Sequence, residues 1–462
     1  INKELENIFF SGITFNSKKV KKNNIFFAIK GNKVDGNKFI STAIKKGSKI
    51  IVTDKKITKF QKGILFIYCS NVRKLLAEVS FKIYKKKPKN LIAVTGTNGK
   101  SSVADFYYQI LKFNKKKVAS IGTLGVKSAN LNINLSNTTI NPIKLSQILN
   151  KLKRKKIDNV IMEASSHGLK QNRLDGLNLN TGIFTNLSQD HLDYHKNFNN
   201  YLDAKLYLFK NLIKKKGNII TDEEIPEYKK IKRISNSKNL KLFTIGDKKN
   251  FLQILSHRFD GENQIIEIKH KMLIKKINFN LIGKIQIKNI LMAVIAAIKS
   301  NLSIKKVLST VPKLIAVEGR LENIGKIKNC SKVILDYAHT PDALKICLSN
   351  LREQFPNKKI SLLFGCGGNR DQNKRSKMGA IASIYSDQIY LTDDNPRFEN
   401  PNRIRGDIKR GIYQRNIYEI SNRAKAIREA IKNLNTGEIL LVAGKGHEKT
   451  QDFGKKKIFF FR

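Results

Sequence analysis

The segment Val94-Thr95-Gly96-Thr97-Asn98-Gly99-Lys100-Ser101-Ser102 has the residue types and spacing to hold a nucleotide's phosphates. It joins an apolar run, LIAVTG, to a stretch with helical apolar spacing, SVADFYYQILKF. Glycines let backbone N–H groups converge on phosphate oxygens, and a helix N-terminus adds favourable potential. Lys100 is expected to reach the β- and γ-phosphates, and the Ser101 hydroxyl to bind Mg²⁺. Val94 stands where the general phosphate-loop pattern has its first glycine, so the loop is a shorter variant. A glycine turn before an ordinary helix is the competing reading. The GKS triplet between a strand and a helix argues against it.

A second constellation combines an acid with histidines. Glu163 closes the apolar run VIME and precedes Ala-Ser-Ser-His-Gly-Leu. In a doubly wound sheet, ligands bind beyond the carboxyl ends of the strands, so Glu163 is expected near the phosphate loop as a Mg²⁺ ligand. The next run, GIFTN, leads into Leu-Ser-Gln-Asp-His-Leu-Asp-Tyr-His and brings His191 to the same rim. The chain has seven histidines. Of these, His167, His191, His195, His339 and His447 lie in strand-end motifs, which favours a site over scattered surface histidines. His191 reads as a ligand; His167 and His195 read as structural hydrogen-bonding residues.

The elements that must position these residues follow from patterning. Short apolar runs IFFAI (25–29), KIIVT (49–53) and ILFIYC (64–69) mark a small mixed α/β unit over 1–88. GNKVDG (31–36) reads as a glycine-bounded loop and KKKPKN (85–90) as a linker. From 91 onward, apolar runs alternate with helical stretches, as in a parallel sheet covered on both faces. NILMAVIAAIKSNL (289–302) is the most apolar helix. A third βα series begins near 317, with strands VILDYA (333–338), ISLLFG (360–365), QIYLTD (388–393) and ILLVAG (439–444).

Composition bounds the compartment and the partners. With 462 residues the chain should hold two to four domains at about 100–200 residues each. No apolar run is long enough to span a bilayer, and no signal-peptide pattern opens the sequence, so a cytoplasmic protein without membrane insertion is expected. The four cysteines, Cys69, Cys330, Cys347 and Cys366, have neither a disulfide framework nor zinc-site spacing. Cys366, between glycines, reads as structural. The net charge of +53 suggests a polyanion partner when taken alone. Its lysine runs are scattered and mixed with asparagine and isoleucine, however, so compositional drift is the better account and no specific nucleic-acid site is expected.

The ordered motifs TGTNGKS, MEASSHGL, FTNLSQDHLDYH, YLDAK, DYAHTPDAL, FGCGGNRD, DNPRFENP and AGKGHE resemble the Mur ligase family of peptidoglycan synthesis. The closest resemblance is to its members that add the third amino acid. It runs from about Ser11 to Gln451. It implies an α/β fold of three domains: an N-terminal mixed α/β UDP-substrate-binding domain (1–88), a central P-loop ATPase-like parallel-sheet domain that binds ATP (89–316), and a C-terminal Rossmann-like domain that brings the amino acid (317–462). It also implies an acyl-phosphate route from ATP, UDP-MurNAc-dipeptide and meso-diaminopimelate to a new amide, in a protein expected to act as a monomer.

Residue roles carry over motif by motif. Lys100, His191 and Lys205 match the catalytic positions, with Lys205 as the family's carbamylated lysine. Gly96, Thr97, Asn98, Gly99, Lys100, Ser101, Ser102, Asn289, Arg320 and Asp336 match ATP contacts. Ser17, Asn137, Thr138, Thr139, Ser165, Gln171 and Arg173 match contacts to the UDP substrate. Ser17 is flanked by Asn16 and Lys18, where the family has a DSR motif. Arg370, Asp394, Asn395, Pro396, Arg397, Gly444 and Glu448 match the diaminopimelate pocket. Ser101, Glu163, His191 and Lys205, as its CO₂-derived carbamate, match the Mg²⁺ ligands. GNRD stands where GDRD is common. The alternatives are the same ligation with L-lysine, a folylpolyglutamate-type relative, and a polyanion-binding P-loop ATPase. The uridine-type N-terminal segment and DNPR argue against the first two.

Overall fold

The computed structural model describes residues 9–31, 34–248, 250–327 and 330–459. Positions 32 and 33 of the expected loop 31–36, and the first eight residues, lie outside them. The chain divides into two compact units, one of residues 1–93, 117–180 and 204–217, the other of residues 94–116, 181–203 and 218–462.

The first unit holds a five-stranded sheet in the order Gly12–Thr14, Asn24–Phe27, Ile50–Thr53, Ile64–Tyr68, Lys59–Gln61. Its pairings are parallel except the last. Ile50–Thr53 is buried throughout, because a parallel strand covered on both faces needs apolar residues at every position. Phe27, Val52, Val72 and Leu76 form one core beside it, against which Ile143 packs. The same unit pairs Val118–Gly122 in parallel with Asn159–Glu163 and antiparallel with Gly125–Ser128. The helix Pro142–Arg154 starts at Asn141, whose side chain accepts from Lys144 N while Pro142 occupies the first turn.

The second unit holds a six-stranded sheet in the order Glu322–Lys326, Lys332–Leu335, Ile439–Val442, Ile360–Phe364, Gln388–Leu391, Ile417–Glu419. Only the first pairing is antiparallel. Ile334, Leu362, Ile389 and Leu441 share a core on one face; Leu335, Leu363, Tyr390 and Leu440 share one on the other. Helices Lys100–Phe113 and Ile285–Ile298 pack together in this unit. The apolar helix therefore begins four residues before the expected 289 and ends four before 302.

Several strands are shorter or longer than their apolar runs. Leu179–Phe184 stops before Thr185 and Asn186, which turn toward the phosphate loop. Asp336, Gly365, Asp393 and Gly444 also lie beyond their strands rather than within them. Ile213–Asp222 spans ten residues, of which the first four, an isoleucine and three lysines, lie outside the buried core and the last four are buried. An antiparallel meander, Leu252–Asp260, Asn263–His270 and Leu273–Phe279, was not anticipated. In its last strand Ile277 and Phe279 are buried while Lys275, Lys276 and Asn278 are exposed, so lysines dilute the apolar signal.

Buried ion pairs fix the loops that follow the C-terminal strands. The Arg375 side chain is fully buried and donates to Glu399 Oε2 at 2.6 Å and Asp407 Oδ2 at 2.9 Å. Glu399 Oε2 also accepts Asn369 N at 3.0 Å. One carboxylate thus ties the loop after Ile360–Phe364 to the loop after Gln388–Leu391. Arg405 pairs with Asp393 and, at 2.8 Å, with Glu419. Removing one partner of a buried pair strands the other charge, at a cost of about 3–5 kcal/mol. Arg375→Ala should therefore lower the stability of the full chain by about that much in urea unfolding. Arg375→Lys should recover only part, since one ammonium cannot present the planar fork that serves both acids.

Candidate active site

The phosphate loop is shaped by close approach. Gly96 has φ +146 and Gly99 φ +84. A Cβ on Gly96 would collide with Thr185 Oγ1, and one on Gly99 with Asn289 Oδ1. Asn289 is buried on the helix Ile285–Ile298 and donates to Gln286 Oε1 at 3.1 Å. Thr185 N donates to Thr95 O at 3.0 Å, and the Thr185 hydroxyl to Asn98 O at 2.6 Å. Thr97 N and Asn98 N donate to Asn186 O and Oδ1, both at 2.9 Å. Those two N–H groups are therefore taken up by Asn186. The cradle lies instead at the first turn of Lys100–Phe113, where Lys100, Ser101 and Ser102 begin the helix. Asn98 Nδ2 is buried without a partner among the described residues, a donor suited to a nucleotide oxygen. Lys100 Nζ donates to Gly96 O at 3.0 Å and Thr97 O at 2.7 Å.

His191 has φ +53 and opens the one-turn helix Leu192–His195. Its backbone N donates to Asp190 Oδ1 at 2.8 Å, and its Nε2 lies 3.4 Å from Asp190 Oδ2. Burial would raise the Asp190 carboxyl, but His191, His339 and Lys100 outweigh it and hold the group below the ordinary aspartate range. Asp190 is thus an ionised anchor beside the phosphate-loop lysine. Gln189 N donates to Asp342 Oδ2 at 3.2 Å, which joins this loop to the start of the helix Pro341–Gln354.

Asp336 accepts Leu321 N and Ala338 N, each at 2.7 Å. Burial pushes its carboxyl up, opposed by Arg320. The Arg320 guanidinium lies 4.6 Å over the Tyr337 ring and donates to Gly319 O at 3.1 Å. Arg320 and Asp336 are therefore brought together, as expected.

The amino-acid pocket residues also gather, except one. Arg397, at φ +55, donates from Nη1 to Gly368 O at 2.7 Å and lies across the glycine loop. Pro396 is buried, and Asn395 Nδ2 donates to Glu448 Oε2 at 3.1 Å. Gly444, at φ +102, comes so close to Asp394 that a Cβ would lie 2.9 Å from Oδ2. Arg370 is exposed and makes no hydrogen bond or ion pair among the described residues.

In the first unit, Glu163 is buried and accepts Thr123 N at 2.9 Å and the Thr123 hydroxyl at 3.1 Å. Thr138 Oγ1 sits 3.0 Å from Thr123 Oγ1. The Thr139 hydroxyl donates to Glu163 O at 2.8 Å and accepts Ser165 N at 2.9 Å. Ser165 caps the helix Ser166–Lys170 through Gly168 N. Arg173 donates to Thr139 O and, at 2.7 Å, to Gln171 Oε1. These residues form one cluster around Glu163. Asn137 is exposed beside it and bonds only to the Ser136 hydroxyl at 3.3 Å. Ser17 lies in a separate 3-10 turn, Ser17–Lys19, and shares no hydrogen bond with the cluster among the described residues.

Lys205, on the helix Phe198–Tyr207, is 1% exposed. Among the described residues no three His, Cys, Asp or Glu side chains converge as a metal site. The expected ligand set contains only two such residues, Glu163 and His191. The Ser101 hydroxyl and a carbamate on Lys205 would add the hard oxygens that Mg²⁺ prefers.

Sequence reasoning missed Asp190, Tyr337 and Lys445. Asp190 and Lys445 adjoin recognised residues in SQDH and AGKGHE. Neither position signals by itself that its charge is buried.

Three family models match the chain: "Mur ligase family, catalytic domain" over residues 10–83, "Mur ligase middle domain" over 94–297, and "Mur ligase, glutamate ligase domain" over 319–446. A protein of Rickettsia conorii (strain ATCC VR-613 / Malish 7), named UDP-N-acetylmuramoyl-L-alanyl-D-glutamate–2,6-diaminopimelate ligase, is 43% identical over 460 residues, 97% of this chain and 93% of that protein. A solved structure of a ligase of the same name superposes with a TM-score of 0.70 at 28% identity, covering 98% of this chain and 93% of that one. MurF ligase from Thermotoga maritima in complex with ADP shares the fold, with a TM-score of 0.61 at 17% identity over 95% of this chain and 94% of that one.

The Gly99 geometry generates a test. An alanine there meets both a left-handed backbone, costing roughly 1–2 kcal/mol, and the Asn289 side chain. Gly99→Ala should lower ATP-dependent phosphate release at least about tenfold, as 1.4 kcal/mol in an equilibrium corresponds to that factor. The ATP dependence of turnover in wild type and variant measures it.

Proposed function

The chain belongs to the Mur ligase family, and from that premise we propose that it is an ATP-dependent ligase that adds meso-2,6-diaminopimelate to UDP-N-acetylmuramoyl-L-alanyl-D-glutamate in peptidoglycan precursor synthesis. The observation that carries the substrate choice is Arg397, held across the glycine loop after Ile360–Phe364 by its bond to Gly368 O and 3.9 Å from Asp452 Oδ2, a planar fork suited to a carboxylate. Diaminopimelate differs from L-lysine by one carboxylate on the distal carbon, and a selective site needs a cation for it.

The domain roles follow the same reading: residues 1–88 bind the UDP substrate, 89–316 bind ATP and 317–462 bind the amino acid. The protein is a cytoplasmic monomer. No described helix is long and apolar enough to cross a membrane.

Amide formation from a carboxylate needs activation. The glutamate γ-carboxylate attacks the γ-phosphate of ATP, forming an acyl phosphate and ADP. The neutral amine of diaminopimelate then attacks the acyl carbon, and phosphate leaves. Phosphoryl transfer is mainly positioning and charge neutralisation. Lys100 moves from the loop carbonyls to the phosphates, and Gly96, Thr97, Asn98, Gly99, Ser101 and Ser102 shape the cradle. Asn289, Arg320 and Asp336 hold the rest of the nucleotide. Ser101, Glu163, His191 and the carbamate of Lys205 are the proposed Mg²⁺ ligands; the ion would neutralise charge on the phosphate oxygens. Ser17, Asn137, Thr138, Thr139, Ser165, Gln171 and Arg173 hold the UDP substrate. Arg370, Asp394, Asn395, Pro396, Arg397, Gly444 and Glu448 hold diaminopimelate, with Glu448 on its distal ammonium.

Phosphate release with the UDP-dipeptide and each candidate amino acid tests the assignment. Truncating one partner of a hydrogen-bonded charge pair costs about 2–5 kcal/mol. Arg397→Ala should thus lower kcat/KM for diaminopimelate by roughly thirtyfold or more and leave the small lysine activity nearly unchanged. Equal use of both amino acids by wild type, or equal loss in the variant, would refute the role of Arg397. Lys205→Ala should lose activity by roughly a hundredfold and regain part of it with added short carboxylates. Full activity without them would refute the carbamate.

A further inference from the structure

Within the pocket just assigned, the most deeply buried charge belongs to a residue with no assigned role. Lys445 lies between Gly444 at φ +102 and Gly446 at φ +45, just beyond the strand Ile439–Val442, and is 1% exposed. Its ammonium donates to Asn395 Oδ1 at 2.8 Å and Glu448 Oε2 at 2.9 Å, and lies 3.7 Å from Asp394 Oδ1. All three partners are proposed amino-acid ligands. We propose that Lys445 is the positioning residue of the amino-acid pocket, a built-in cation that orients Asn395 and aims the Glu448 carboxylate at the substrate's ammonium. This rests on the assignment of that pocket to diaminopimelate.

Three observations support it. Asn395 Oδ1 accepts both Lys445 and Asp452 N, the latter at 2.8 Å, which forces Nδ2 toward Glu448. Glu448 Oε2 is then occupied by Lys445 and Asn395, while Oε1 meets the Tyr337 hydroxyl at the longer distance of 3.3 Å. Oε1 is the oxygen left for a ligand cation. Asp394 supplies a second negative charge beside Lys445, so the ammonium is shared between two carboxylates.

The charge of Glu448 depends on the same contact. Burial would raise its carboxyl, but Lys445, with Asn395 and His447, holds it below the ordinary glutamate range. The other groups facing it are Tyr337, Asp394 and the buried Arg423, which donates to Ala443 O at 2.7 Å. Without Lys445 the largest opposition to burial is lost, so the Glu448 carboxyl shifts upward.

The test compares wild type with Lys445→Met and Lys445→Arg, using ATP, the UDP-dipeptide and meso-diaminopimelate from pH 6 to 9. Lys445→Met should raise KM for diaminopimelate at least about tenfold while KM for ATP stays within about twofold, the separation expected when one ligand's binding contact alone is lost. The variant-to-wild-type KM ratio should be largest at pH 6 and shrink toward pH 9, because Glu448 regains its charge there; ionisation of the substrate amine cancels in that ratio. Lys445→Arg should restore most of the affinity and flatten the ratio. If Lys445→Met does not fold, Lys445→Gln carries the same comparison. An unchanged KM for diaminopimelate, a pH-independent ratio, or equal losses for ATP and diaminopimelate would overturn the proposal. Failure of wild type to use diaminopimelate would instead refute the pocket assignment.

Discussion

In a chain of net charge +53, carboxylates are the scarce partner, and those at the ends of the parallel strands are matched to cations that are themselves out of water. Glu399 receives the fully buried Arg375, Asp393 receives Arg405, and Glu448 receives Lys445. Each pair removes the desolvation penalty that either member alone would bear. The first two also fix a loop, since the acid and the cation come from different segments, whereas Lys445 and Glu448 lie three residues apart in one loop. The pairing of Glu399 with both Arg375 and Asn369 N shows how this works: the loop bearing Gly368 and the loop bearing Arg397 cannot separate without stranding a charge.

Close packing of backbone supplies the second constraint. At Gly96 and Gly99 the absence of Cβ admits Thr185 and Asn289 against the loop. At Gly444 it admits Asp394, and at Gly319 it admits the backbone of Gly446 and His447. These glycines also hold positive φ, so conformation and contact make the same demand. Neighbours thereby pack closely against the loops, which suits a reaction that proceeds by positioning charged groups.

The legible parts of the sequence were those where local chemistry and local geometry coincide. GKS after an apolar run announced both a turn and a phosphate site, and the structure has Gly99 capping the helix that begins at Lys100. Strand existence was readable at ILLV and ISLLF because both faces are buried. It failed at LIKKINF because only one face is. Strand ends were also overextended: apolar or small residues such as Gly365 and Ala443 continue the pattern after the ladder has stopped, since the site loops are themselves buried. The grouping of Thr138, Thr139, Arg173 and Glu163 is invisible in periodicity, because those contacts join segments about 25–35 residues apart through side-chain bonds to backbone. Lys445 was hidden for another reason. One lysine among so many carries no signal until its burial is known.

Tyr337 links the two groups of proposed ligand residues in the second unit. Its ring carries the Arg320 guanidinium on one side, and its hydroxyl donates to Glu448. Burial, with Glu448 adding to it and Arg320 opposing, pushes the phenol up to about 12, so it remains a neutral donor at any pH the enzyme meets. Gly319 packs on Gly446 and His447 alongside it. The residue proposed for the nucleotide and the residue proposed for the incoming amine therefore share one aromatic wall. Groups in such direct contact typically couple by about 0.5–3 kcal/mol.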